Sequence, residues 1–275
     1  MAPKLNPLTF TSCQAPIADE FCREVVAWLA TQLAHPTRFL TDIPWQERER
    51  LFDAGEIDVA WICGAPYVQK VAQPDANLEL LVAPVMAQPR YEDKPVYFSD
   101  VVVHRDSPYA RWEDLRGRDW AYNEPHSHSG YHVVCYALAQ RGQNRHFFGR
   151  VWASGSHQKS LRLILNQQVD ASAIDSTVLE MVCAQDPTIS SQIRVIDTLG
   201  PSPMPPWCVG RHVPAELRRQ VRQLLLRLHE DESGQMILAR HQFNRFAAVT
   251  DQTYDAIRQM LSIGAGAQLP HHDVA

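Results

Sequence analysis

The feature that most constrains this chain is its regular alternation of short strand-like runs with helix-like segments. Leu8–Gln14 reads as a strand. Ile17–Leu33 follows as a helix, with Phe21, Val25, Trp28 and Leu29 on one face. Thr37–Thr41 is a second strand, Pro44–Ala54 a helix with proline in its first turn, and the run from Ile57 to Ile62 a third strand. Ala65–Ala72 and Leu78–Val85 complete a β-α-β-α-β-α-β series. Such a series predicts a largely parallel sheet flanked by helices.

The pattern then repeats. Tyr97–His104, Arg118–Tyr122, Val151–Ala153, Val169–Ile174 and Arg194–Thr198 read as strands. Trp112–Leu115, Ser129–Arg141, Gln158–Gln167 and Ser176–Cys183 read as helices between them. A proline-rich passage from Pro201 to Pro206 leads into the strand-like Trp207–Gly210. Helices over Ala215–Asp231, Ser233–His241 and Asp251–Ile263 close the chain, and the residues from Gly264 onward are expected to fray. The fold class is therefore α/β, in two lobes: residues 1–98 with 201–275, and residues 99–200. The chain would cross between lobes near 97–104 and 193–203.

A chain of 275 residues, 45% hydrophobic and 21% charged, can bury the cores that two such lobes need. Its net charge of −5 argues against a nucleic-acid partner, so a cationic site would have to be local. The arginines at 218, 219, 222 and 227 read as the solvated face of an amphipathic helix. No apolar run is long enough to span a bilayer. The N-terminus lacks the apolar region of a secretory signal, which fits either a chain working inside the cell or one whose leader has been removed. Six cysteines without regular spacing read as small core residues rather than a zinc or disulfide framework. Cys208 is the one to watch, because its segment is expected at the ligand cleft.

In open α/β sheets ligands bind beyond the carboxyl ends of the strands, and the polar motifs of this chain follow strands. The sharpest runs from Asn123 to Tyr131 through Ser127, His128, Ser129 and Gly130. It opens a helix, whose first turn offers unpaired N–H groups and the positive end of the macrodipole. The hydroxyls of Ser127 and Ser129 add donors, and Gly130 permits close approach. A second motif, Ser154-Gly155-Ser156-His157, repeats the geometry, with Ser156 either a donor or a helix cap and His157 a donor to an oxyanion. A third strand end carries Asp175, better read as a cap than as a ligand contact.

Three stretches resemble the substrate-binding proteins of phosphate, phosphite and phosphonate ABC importers: 55–61, 125–130, and 155–157 running on to 168–171. The resemblance covers roughly residues 8–240. It implies a type II periplasmic-binding-protein fold with the ligand between the lobes. It also implies a small oxyanion ligand, an ABC permease as partner, a monomer, and no cofactor or catalysis. In that family a Ser-Thr-Ser-Gly run and a later histidine grip the phosphonate oxygens. Ser127, Ser129 and His157 match by position, whereas His128 replaces the threonine. Tyr97 matches an aromatic that the family directs into the cleft. A late acidic position that selects amino substituents falls in Met204-Pro205-Pro206, which argues against an aminoalkylphosphonate. Trp45 and Trp207 are expected beside Tyr97 as an aromatic wall favouring an alkyl substituent.

Other constellations compete. Ser127, His157 and Asp175 could form a hydrolase triad, but no Gly-x-Ser-x-Gly elbow is present. His126 with His128, or His271 with His272, lacks the further partners a structural metal needs, so no metal is expected. An enzyme of cofactor biosynthesis, or a ligand sensor built on the same fold, is the alternative to transport.

Overall fold

The computed structural model describes residues 6–270; His271 and His272 lie outside the described residues. The chain forms two compact units, Met1–Val96 with Met204–Tyr254, and Tyr97–Pro203 with Asp255–Ala275.

The first unit begins with β1 (Leu8–Ser12), α1 (Asp19–Gln32), β2 (Thr37–Leu40), α2 (Trp45–Asp53), β3 (Val59–Trp61), α3 (Gly64–Val71) and β4 (Leu78–Met86). Helix α1 buries Phe21, Cys22, Val25, Val26, Trp28 and Leu29, a stripe at three- and four-residue spacing, and carries Asp19 and Glu20 in its first turn. Acidic residues there complement the helix dipole.

The second unit carries β5 (Val96–His104), β6 (Trp120–Tyr122), α4 (Val133–Gln140), β7 (Val151–Ala153), α5 (His157–Leu165), β8 (Ala171–Asp175), α6 (Ser176–Gln185), α7 (Pro187–Gln192) and β9 (Ile193–Pro203). The chain then returns to the first unit with β10 (Trp207–Gly210), α8 (Ala215–Arg227), α9 (Glu232–Arg240) and β11 (Phe243–Ala247). Its final helix, α10 (Asp255–Gly264), belongs to the second unit.

The sheets are mixed rather than mostly parallel. The first has the order β11-β4-β10-β3-β1-β2. β1 is parallel to β2 and β3, but β10 runs antiparallel to β3 and β4, and β11 antiparallel to β4. The antiparallel members are those that join the sheet after the excursion into the other unit. The second sheet has the order β7-β6-β8-β5-β9, with β6 parallel to both β7 and β8 and β5 antiparallel to β8.

Aromatic packing differs between the cores. In the first unit Phe21 stacks on Phe243 at 4.2 Å, and Trp61 on Trp207 at 6.1 Å. In the second, Trp120 stacks on Phe148 at 4.3 Å and Trp112 on Phe147 at 5.6 Å. Burying each such side chain contributes about 1.5–3 kcal/mol.

Two sequence expectations change at the C-terminus. Residues 255–270 join the second unit instead of the first, because α10 packs on α4. Gly264 makes that approach possible: a Cβ there would lie 2.9 Å from the Tyr136 amide nitrogen. The segment from Gly264 to Leu269 is also anchored rather than frayed. Ala267 and Leu269 are buried, and the Leu269 carbonyl accepts a hydrogen bond from the Tyr131 hydroxyl at 3.0 Å.

Candidate functional site

Because β6 is parallel to both β7 and β8, three carboxyl ends lie side by side in the second unit. The segments leaving them carry Asn123–Ser127, Ser154–His157 and Asp175–Ser176, so residues far apart in sequence meet at one sheet edge. Open α/β sheets place ligands at such edges.

After β6 the chain makes a π-helical turn, His128–His132, before α4 begins. Ser127 caps it, its hydroxyl accepting from the Gly130 N–H at 3.2 Å. The Ser127 and Ser129 hydroxyls lie 3.4 Å apart, and Ser129 Oγ is 2.9 Å from Nε2 of His157. Ser129 also bonds the Asp175 carboxylate, so it is the node between His157 and Asp175. A wide turn of this kind exposes backbone donors at a helix start, and rotatable hydroxyls can present either a proton or a lone pair. Gly130 is required by a close approach: a Cβ there would sit 1.9 Å from Asn123 Oδ1 and 3.2 Å from His157 Cε1.

Burial governs the charge of the site. His157 is 6% exposed and is lowered to about 4, by desolvation that the Ala173 backbone only partly offsets. His128 is fully buried and lowered to about 3, by desolvation and then by the charge of His132. Neither ring carries a charge at neutral pH. Asp175 is pushed up to about 6 by burial, against the bonds from Thr177, Val178 and Ser129. The serines and histidines thus form a cluster of neutral donors at a helix start, bordered by the Asp175 carboxyl, which is mostly ionised at neutral pH. That arrangement can hold an oxyanion without a buried cation.

The other expected residues fall as follows. Ser156 caps α5, accepting from the Lys159 N–H at 3.1 Å, so its hydroxyl is committed to the helix. Asp175 caps α6 through the Thr177 N–H at 2.9 Å and the Thr177 hydroxyl at 2.7 Å. Tyr97 is 1% exposed at the start of the second unit, its ring edge-on to His128 at 6.4 Å between centroids. Trp45 is a half-buried residue opening α2.

Trp207 is a correction. It is 1% exposed within β10, between Trp61 and Phe246, and belongs to the core of the first unit. Met204, Pro205 and Pro206 are packed there too, their carbonyls accepting from Tyr254 Oη, Trp61 Nε1 and the Ile62 N–H, respectively. Cys208 is likewise buried in β10, its thiol pushed well above the usual range, so it is an inert core residue.

The triad reading fails on geometry. His157 Nε2 meets Ser129 rather than Ser127, and Asp175 engages Ser129 and Thr177. Among the described residues no group of three His, Cys, Asp or Glu side chains is arranged to hold a metal ion. Sequence reasoning missed Ser202, whose hydroxyl lies 2.9 Å from His128 Nε2. It sits in the proline-rich passage, where no periodicity marks which face a residue takes.

Residues 10–254 match the family described as the periplasmic substrate-binding protein of phosphonate ABC transporters. Solved structures share the fold. A binding-protein component of an ABC phosphonate transporter from Pseudomonas aeruginosa has a TM-score of 0.83 at 19% identity, over 95% of this chain and 87% of that one. PhnD1 from Prochlorococcus marinus, in complex with methylphosphonate, has a TM-score of 0.80 at 18% identity, over 92% and 96% of the two chains. The periplasmic aliphatic sulphonate binding protein SsuA from Escherichia coli follows at 0.64 and 14%, over 94% and 87%.

Proposed function

The chain belongs to the family of periplasmic substrate-binding proteins of phosphonate ABC transporters, and from that premise we propose that its second unit binds the oxyanion head of a small phosphonate. Ser127, Ser129, the N–H groups of the turn they open, and His157 are the donors. The observation that carries this reading is the buried cluster at a helix start in which Ser129 Oγ lies 3.4 Å from Ser127 Oγ and 2.9 Å from His157 Nε2. A tetrahedral head presenting several acceptor oxygens suits several convergent donors, whereas a sugar or nucleotide base needs a mixture of donors and acceptors.

The ligand is captured and released unchanged. A nucleophilic serine needs a base that is itself oriented, and Asp175 is held by Thr177 away from that role. The structure in complex with methylphosphonate is of PhnD1; here an alkyl phosphonate is the proposed class, with inorganic phosphate bound more weakly. Of the aromatic residues first expected around a substituent, Tyr97 keeps a place beside the donor cluster, packed on His128. The partner implied by the family is a permease and the family default is a monomer; the net charge of −5 speaks against a nucleic-acid partner.

A thermal-shift series with phosphate, phosphite, methylphosphonate, ethylphosphonate and sulfate tests the reading. A ligand at a hundred times its Kd adds about 2.7 kcal/mol. Methyl- or ethylphosphonate should give the largest rise in Tm. No rise with any of the five at millimolar concentration would remove the oxyanion site.

A further inference from the structure

The residue at 128 departs from the family's run, and its ring is engaged by Ser202 and Tyr97. Ser127 and Ser129 face each other, and Ser129 meets His157. The imidazole between them pairs its Nε2 with Ser202 Oγ at 2.9 Å and packs against the edge of Tyr97. Ser202 Oγ in turn donates to Met260 Sδ at 3.9 Å. With its proton so placed, Ser202 accepts from the Nε2–H of a neutral ring, a tautomer assigned from the network.

These partners occupy particular places in the chain. Tyr97 is the first residue of the second unit, Ser202 lies one residue before the chain leaves it at Pro203, and Met260 is on α10, the segment that re-enters it at Asp255. Two of the segments that tie the second unit to the rest of the chain therefore meet at one fully buried side chain, on the turn that carries the donors, and the third joins them through Ser202.

Building on the phosphonate reading, we infer that His128 is a positioning residue: through Ser202 and Tyr97 it fixes the oxyanion-binding turn against the crossing segments, and it gives the anion neither charge nor a direct bond. A buried, hydrogen-bonded ring holds one orientation of the turn, and preorganisation of donors raises affinity by reducing the ordering that binding must impose. Burial keeps the ring neutral, which suits a structural hydrogen bond and not an ionic one.

Calorimetric titration with methylphosphonate tests this on wild type, His128→Ala, Ser202→Ala, the double variant, and His128→Gln, whose amide can reach Ser202 as Nε2 does. Each alanine variant should bind about twofold to tenfold more weakly, the loss of one net hydrogen bond. The double variant should be no worse than the weaker single, because both remove the same bond. His128→Gln should recover most of the loss, which a merely volume-filling role would not. Unchanged affinity in Ser202→Ala, additive losses in the double variant, or a glutamine no better than alanine would each overturn the inference while the anion site stands. Should His128→Ala fail to fold, the Ser202→Ala and His128→Gln comparisons decide alone. Absence of binding by the wild type would overturn the phosphonate reading and this inference with it.

Discussion

The two units are built from the same alternation of strands and helices, yet they bury different chemistry. Among the described residues the first unit buries four polar side chains, Thr9, Thr11, Ser12 and Arg48; the second buries twelve, ten of them serines or histidines. The first fills its sheet with stacked aromatics, Trp61 on Trp207 and Phe21 on Phe243. Buried polar groups cost stability unless each finds a partner. Many of them are concentrated at three adjacent strand ends, where the proposed site lies. The first unit is organised for packing, and the second carries the buried polar cluster proposed to hold an anion.

The comparison breaks most visibly through Trp207. Trp207→Ala leaves a hole between Trp61 and Phe246 and should destabilise the protein by about 3–5 kcal/mol, measured by urea unfolding. A loss below about 1 kcal/mol would mean that the first unit does not depend on this stack.

The second unit should respond in binding instead. Ser127→Ala or Ser129→Ala removes a hydrogen bond to a charged acceptor, a type contributing about 1.5–3 kcal/mol. Affinity for methylphosphonate should drop by roughly tenfold to a hundredfold, with a loss of Tm smaller than that of Trp207→Ala. Equal losses of Tm in the serine and tryptophan variants would erase the contrast.

Gly130→Ala sharpens it from the side of packing. The new Cβ would collide with Asn123 and press on His157, and overpacking of this kind costs about 1–3 kcal/mol. Displacing His157 should also weaken binding. Gly266→Ala is the control, since nothing lies within 4 Å of its Cβ position. Should the two variants bind and melt alike, Gly130 has no part in shaping the site.

Acid tests the same contrast without any substitution. His128 at about 3, and His132 and His157 at about 4, take up protons more readily when unfolded, where the ordinary value is 6.5. Their contribution to stability is present at neutral pH and is lost as pH falls from about 6.5 toward 4. Asp175, raised to about 6, works the other way, since its folded form holds a proton that the unfolded form releases. With three histidines against one aspartate, lowering pH from 7 to 4.5 should destabilise the second unit. Hydrogen-exchange protection should fall more in residues 97–203 than in 6–96; an equal fall would place the acid-sensitive groups elsewhere.

Much of this contrast was legible in the sequence, and the rest was hidden for identifiable reasons. The run from Ser127 to Gly130 and the Ser156-His157 pair could be read as helix starts after strands, because hydroxyls and glycine at such places have a local physical cause. The meeting of Ser129 with His157 was not legible, since it depends on β7 and β8 flanking β6. Ser202 gave no signal because proline suppresses the periodicity that marks a strand's faces. Trp207 was misplaced because a tryptophan beside prolines reads equally well as a wall or a core. β11 escaped notice, as Phe243 and Phe246 are three apart and the register shifts between Phe243 and Arg245. The return of α10 to the second unit rests on the close approach at Gly264, which a helical pattern alone does not encode.

The most direct test of the central claim is a crystal structure of the protein with methylphosphonate bound. The account predicts phosphonate oxygens at about 2.5–3.2 Å from Ser127 Oγ, Ser129 Oγ and the ring of His157, with His128 still paired to Ser202. A phosphonate bound elsewhere, touching none of those three side chains, would contradict it.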